Sequence, residues 1–87
     1  MPIICRFNGI IIKMYFRQSE HNPPHIHAIF GEYVGVFLII DGSMLEGDIP
    51  IKQQRMIRKF IHHYRDRLMQ MWELQDFEVL PVIGSGD

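Results

Sequence analysis

The chain reads as one α+β domain: an antiparallel meander of about five strands, two hairpins plus a short edge strand, followed by one long C-terminal amphipathic helix packed on the sheet. Three observations predict this. Apolar runs flank Asn8-Gly9, and a second pair flanks Gly31-Glu32. After Pro50 the pattern changes period, and no Gly or Pro interrupts it as far as Leu74. At 87 residues the chain suits a single domain with one modest core. Residues 1–80 are expected to form the domain, with residues 81–87 as a flexible tail.

The first hairpin rests on Asn8-Gly9, because both central positions of a type I′ turn require positive φ. Pairing Phe7 with Ile10 places Ile3, Cys5, Phe7, Ile10, Ile12, Met14 and Phe16 on one face. Ile4, Arg6, Ile11, Lys13, Tyr15 and Arg17 fall on the other. The following loop contains Pro23-Pro24, which cannot donate ladder hydrogen bonds and stiffens the backbone.

The second hairpin, "HIHAIF" and "YVGVFLII", turns at Gly31-Glu32, where glycine at the first central position suits type II′. Ile26, Ala28, Phe30, Tyr33, Gly35, Phe37 and Ile39 then share one face. His25, His27, Ile29, Val34, Val36, Leu38 and Ile40 share the other. "DGS" at Asp41–Ser43 turns the chain, and "MLEGD" follows as a short edge strand. Pro50 suits an early helical position. Beyond it, Ile57, Phe60, Ile61, Tyr64, Leu68, Met71 and Trp72 follow the i, i+3, i+4, i+7 pattern of a helix with one apolar stripe. Phe77 to Leu80 reads as a short extended segment. That stripe must cover one face of the sheet. If it takes the aromatic face, Ala28 and Gly35 leave room for close approach, and the histidine face still needs a cover. A second chain would provide one.

Composition narrows the class. Apolar residues make up 47% and charged residues 22%, as in a folded globular protein. No apolar run approaches the ~18–20 residues of a bilayer span. The N-terminus lacks a basic segment followed by a long apolar one, so no signal peptide is expected and the expected compartment is the cytoplasm. Cys5 is the single cysteine, which excludes an internal disulfide and a cysteine-based zinc site; it reads as a small buried hydrophobe. The net charge of −1 hides an asymmetry: residues 50–74 carry six Lys/Arg and two acids. Such a segment attracts anionic partners or simply forms a solvated helix face, and the second reading is preferred.

Several stretches also resemble a known family. "RFNGI" at Arg6–Ile10, "MYF" at Met14–Phe16, "HNPPHIHAIFGEY" at His21–Tyr33 and "WEL" at Trp72–Leu74 resemble a family of small bacterial domains of unknown function. Its members carry Pro-Pro-His-x-His followed by Gly-Glu-Tyr and end in one long helix. The resemblance implies the same order of elements over most of the chain. It also implies a gene arrangement reminiscent of toxin–antitoxin pairs, and it supplies no activity, ligand or catalytic residue. Ile29, Val34 and Leu38 depart from the cleaner polar–apolar alternation of the family.

The segment "EHNPPHIHAIF" holds three of the five histidines. His25 and His27, two apart on a strand, project from one face about 7 Å apart. If His21 folds back from before the prolines, three imidazoles converge, a known arrangement for a divalent metal such as zinc. Glu20 or Glu32 would then orient a ring nitrogen. Without metal, His21, His25 and His27 are candidate acid–base residues for RNA cleavage, with Arg6, Lys13, Tyr15 or Arg17 holding the phosphoryl group. The third reading is non-catalytic. The Pro23-Pro24 corner and the aliphatic strand face bind a small partner protein or a second copy of the chain, in a toxin–antitoxin-like module. The plainest reading is a tight turn whose histidines bond to backbone carbonyls. Nucleic acid is a possible partner and a membrane is not. His62-His63 diverge by ~100° on the helix and read as solvated; Met56, Met69, Met71 and Trp72 read as core.

Overall fold

A computed structural model describes residues 3–15 and 23–82. Five strands form one sheet in sequence order: β1 (Ile3–Phe7), β2 (Ile10–Lys13), β3 (His25–Phe30), β4 (Tyr33–Leu38) and β5 (Met44–Gly47). Every neighbouring pair is antiparallel. One helix, α1 (Ile51–Leu74), follows, so the α+β meander-then-helix architecture holds.

Both hairpins turn where glycine chemistry directs. Asn8 and Gly9 have φ of 49° and 78°, the two left-handed positions of a type I′ turn. Gly31 has φ of 61°, and Phe30 pairs with Tyr33 across its turn. Asp41 Oδ1 accepts bonds from the Ser43 amide (2.9 Å) and hydroxyl (2.8 Å), closing the β4–β5 turn. Strand β4 stops at Leu38, two residues short of the apolar run. There the Ile39 amide turns away to the Pro24 carbonyl (3.1 Å), and the Leu38 carbonyl takes the Gly42 amide (2.9 Å).

The first hairpin departs from simple alternation. Ile3 pairs with Lys13 but Cys5 with Ile12, so β1 carries one extra residue, Ile4. The bulge turns Ile4 inward beside Cys5, and both are buried. Ile3, expected on the core face, lies instead in register with Lys13, and Ile4, expected on the outer face, is core. The Ile4 carbonyl accepts the amide of Leu80 (2.7 Å), which clips the C-terminal segment to the edge of β1. Phe77–Leu80 is held by this bond and by the Glu78 amide donating to Met71 Sδ (3.3 Å), without forming a strand. The Tyr64 hydroxyl donates to the Pro81 carbonyl (2.7 Å), so contact with the domain continues past residue 80.

Helix α1 covers the aromatic face of the second hairpin. Its buried residues are Ile57, Phe60, Ile61, Leu68, Met71 and Trp72, six of the seven positions in the expected stripe. They pack on Ile10, Ile12, Met14, Ile26, Ala28, Phe37 and Ile39 in one core. Burying side chains of this size contributes about 1.5–3 kcal/mol each. Tyr64, the seventh, is half-buried and leaves helical geometry (φ −108°, ψ 18°), which kinks α1. Pro50 is the N-cap rather than a helical residue, with extended backbone, and Gln75 closes the other end in the left-handed region. The room at Gly35 is taken by Ile49, just before the helix: a Cβ there would fall 2.9 Å from Ile49 Cγ1.

Candidate functional site

The helix takes one sheet face, so the other presents the histidines. Its rows follow from the register. Lys13, His27, Val36 and Glu46 align across β2 to β5. Arg6, Ile11, Ile29 and Val34 align across β1 to β4. His25 pairs with Leu38. Val34 is 56% exposed, and Ile11, Ile29, Val36 and Leu38 are only half-buried. A shallow depression of about 180 Å³ opens on this face, lined by Tyr15, His27, Ile29, Val34, Val36 and Glu46 among others.

His25 and His27 are brought together, as alternation on a strand requires, with ring centroids 5.2 Å apart. Tyr15, from the end of the first hairpin, sets its ring against His27 (4.3 Å, tilted 62°). On the other side His25 meets Trp72 from α1 (4.9 Å). The four rings thus form a continuous row, Tyr15–His27–His25–Trp72. His25 Nδ1 lies 2.8 Å from the Pro23 carbonyl oxygen. A carbonyl only accepts, so Nδ1 carries the hydrogen and the neutral ring keeps its lone pair on Nε2. The proline corner therefore selects the tautomer of His25, while Pro24 anchors β4 through the Ile39 amide.

Burial holds the pKa of His27 below the usual histidine value of 6.5, and the like charge of His25 lowers it further. Glu46 acts in the opposite direction and raises it. The net result is an imidazole that is mainly neutral at pH 7. Glu46 is the acidic neighbour that the register supplies. Glu32 sits in the turn beyond the far end of β3, five residues from His27, about 16 Å along a strand. The structure does not bring it to the histidines. Arg6 is exposed on β1, two strands from β3, and lies in the row of Ile11 and Ile29 rather than that of His27. His21, Arg17 and Glu20 lie outside the described residues. Among the described residues no group of three or more His, Cys, Asp or Glu is arranged to hold a metal ion; His25 and His27 supply two imidazoles.

Glu46 and Trp72 were the site neighbours not expected from sequence. Glu46 becomes visible only once the β4–β5 register is known, since it faces His27 across Val36. Trp72 is core by its position in the helical stripe, and its contact with His25 depends on where α1 ends over the sheet. Among the described residues no helix is long and apolar enough to cross a membrane.

The family model described as Domain of unknown function (DUF4160) matches residues 9–73, from the first turn to the end of α1. No curated protein matches the chain. No solved structure matches it.

Proposed function

The chain belongs to the DUF4160 family of domains of unknown function, and we propose that it works by protein–protein contact, as the binding member of a toxin–antitoxin-like pair. The outer sheet face is the docking surface. The observation that carries this reading is the aliphatic patch of Ile11, Ile29, Val34, Val36 and Leu38, uncovered by any described element. A patch rimmed by Lys13, His27 and Glu46 has the apolar centre and polar edge of a protein interface. Its occupant in this reading is a small partner protein, the product of a neighbouring reading frame. Co-expression followed by sedimentation tests it: wild type should form a complex, and Val34→Asp should lose it while the fold persists. Self-association through this face, or a complex indifferent to Val34→Asp, would overturn the reading.

A second reading rests on the ring contacts themselves. His25 and His27, side by side with Tyr15, form a pair able to take a 2′-OH proton and protonate a leaving oxygen. Incubation of RNA with wild type, His25→Ala and His27→Ala decides it, because equal cleavage by all three removes the proposal. Metal analysis of the purified protein tests the zinc variant of this reading, which expects about one ion per chain.

A further inference from the structure

The solvent side of α1 carries cations that the outer sheet face does not use. Lys52, Arg55 and Lys59 are exposed, beside the exposed imidazoles of His62 and His63. No Asp or Glu occurs from Ile49 to Arg65. The ion pair formed among the described residues joins Arg67 to Glu78, beyond this stretch, so Lys52, Arg55 and Lys59 have no acidic partner there. Lys52, Arg55, Lys59 and His63 follow a helical stripe about 16 Å long. The first turn of α1 has no acidic residue to offset the positive end of the helix dipole, and it carries Lys52 instead. Lys52, Arg55 and Lys59 therefore concentrate positive charge on this face of α1, between the exposed Asp48 and Asp66, although the whole chain has a net charge of −1.

A cavity opens beside that stripe. It measures about 140 Å³ and is lined by Phe7, Asn8, Met56, Lys59, Phe60 and Val82. Phe7 and Phe60 stack with centroids 5.4 Å apart; Phe60 is buried, so the half-buried Phe7 supplies the aromatic wall. Asn8, exposed in the β1–β2 turn, makes one long bond from its side-chain nitrogen to Met56 Sδ (3.7 Å) and presents an amide at the mouth. A cavity of about 150 Å³ admits a single aromatic ring.

We propose that this side of the protein binds single-stranded nucleic acid, with phosphates along Lys52, Arg55 and Lys59 and one unstacked base in the Phe7–Met56–Phe60 cavity. The parts match the chemistry of such a ligand. A base has a flat π-face for the aromatic wall and a polar edge for the Asn8 amide. Lys59 belongs to both the cavity and the stripe, so base and backbone contacts are continuous. A duplex keeps its bases inside the stack and would leave the cavity unused. An acidic protein segment would use the cations but offer nothing that needs Asn8.

Fluorescence anisotropy on the full chain tests this. The probes are a labelled 12-nucleotide mixed-sequence single strand, as RNA and as DNA, the matching duplex, and a poly-glutamate peptide of equal charge. The single strand should bind more tightly than duplex or peptide. Neutralising about three phosphates gives a fall in affinity of roughly 20-fold between 50 and 200 mM salt. Lys52→Glu with Lys59→Glu, both on the solvent face, should abolish binding. Asn8→Gly keeps the turn geometry, and Val82→Asp puts a negative charge at the mouth without touching the core; each should weaken the single strand roughly tenfold and leave duplex binding unchanged. Thermal melts confirm that these variants remain folded. No binding to any single strand, peptide binding as tight as the oligonucleotide, or single-strand affinity indifferent to Asn8→Gly and Val82→Asp would each overturn the proposal.

Discussion

Gly47 faces Gly35 across the β4–β5 ladder so closely that a Cβ on Gly47 would fall 2.4 Å from the Gly35 Cα and 2.4 Å from the Val34 carbonyl oxygen. Gly47 also has φ of 128°, a region that only glycine adopts freely. Both neighbours are backbone and cannot swing aside. Gly47→Ala should therefore cost about 2 kcal/mol or more, read as a lower urea midpoint. Gly31→Ala is the control. A Cβ there meets nothing within 4 Å, and the cost reduces to the left-handed backbone, about 1 kcal/mol. Equal effects of the two substitutions would contradict the close approach of β4 and β5.

His27 should make stability depend on pH in a defined direction. Its folded pKa is lowered from 6.5, so between that lowered value and 6.5 the unfolded chain binds more protons. The contribution of a neutral His27 is fully present above pH 6.5 and is lost as pH falls through the window beneath it. Urea midpoints should decline on acidification below pH 6.5, and His27→Gln should flatten that slope. NMR titration supplies the finer check. His25→Ala should move the His27 pKa up, because a like charge is gone, and Glu46→Gln should move it down. Shifts in the opposite sense would refute the assigned neighbours.

The C-terminal segment is part of the fold's stability. Leu80 is buried and its amide bonds the bulged Ile4 carbonyl. Leu80→Ala should cost about 2–4 kcal/mol in chemical unfolding. Tyr64→Phe removes the exposed bond to Pro81 and should cost about 1 kcal/mol or less. A Leu80→Ala protein as stable as wild type would mean that the segment does not dock on β1 in solution.

Cys5 should be chemically quiet. It is 2% exposed, and burial pushes its thiol pKa above the ordinary value of 9.0, only partly offset by a hydrogen bond with the Arg6 backbone. The thiolate is the reactive form. A thiol reagent such as dithionitrobenzoate should label Cys5 slowly at pH 8 and rapidly in denaturant. Fast labelling of the native protein would place the Ile4–Cys5 bulge at the surface instead of in the core.

Much of this architecture was legible in a few local signals. Asn8-Gly9 and Gly31-Glu32 mark their hairpins because the required backbone angles are nearly exclusive to such residues. Their registers then follow, and with them the shared face of His25 and His27. The α1 stripe was equally plain from Ile57 to Trp72. The bulge at Ile4 was not, because one extra residue leaves no trace in composition yet reverses which of Ile3 and Ile4 faces inward. The site was legible only along one strand. His25 and His27 were visible as neighbours, whereas Glu46, Tyr15 and Trp72 reach them from other elements. Their positions depend on the β4–β5 register, the end of the first hairpin and the reach of α1.

By itself, the sequence determined the kinds of element, their order, both hairpin turns and the pairing of two imidazoles on one surface. These are short-range consequences of backbone angles and apolar periodicity. Only the tertiary structure decided which sheet face the helix covers, since both faces of the second hairpin carry aliphatic side chains. Ile49 filling the space at Gly35, with Ile57, Phe60 and Ile61 packed over the aromatic face, decided it. That choice leaves the histidine face outward, because one helix can bury only one side of a five-stranded sheet.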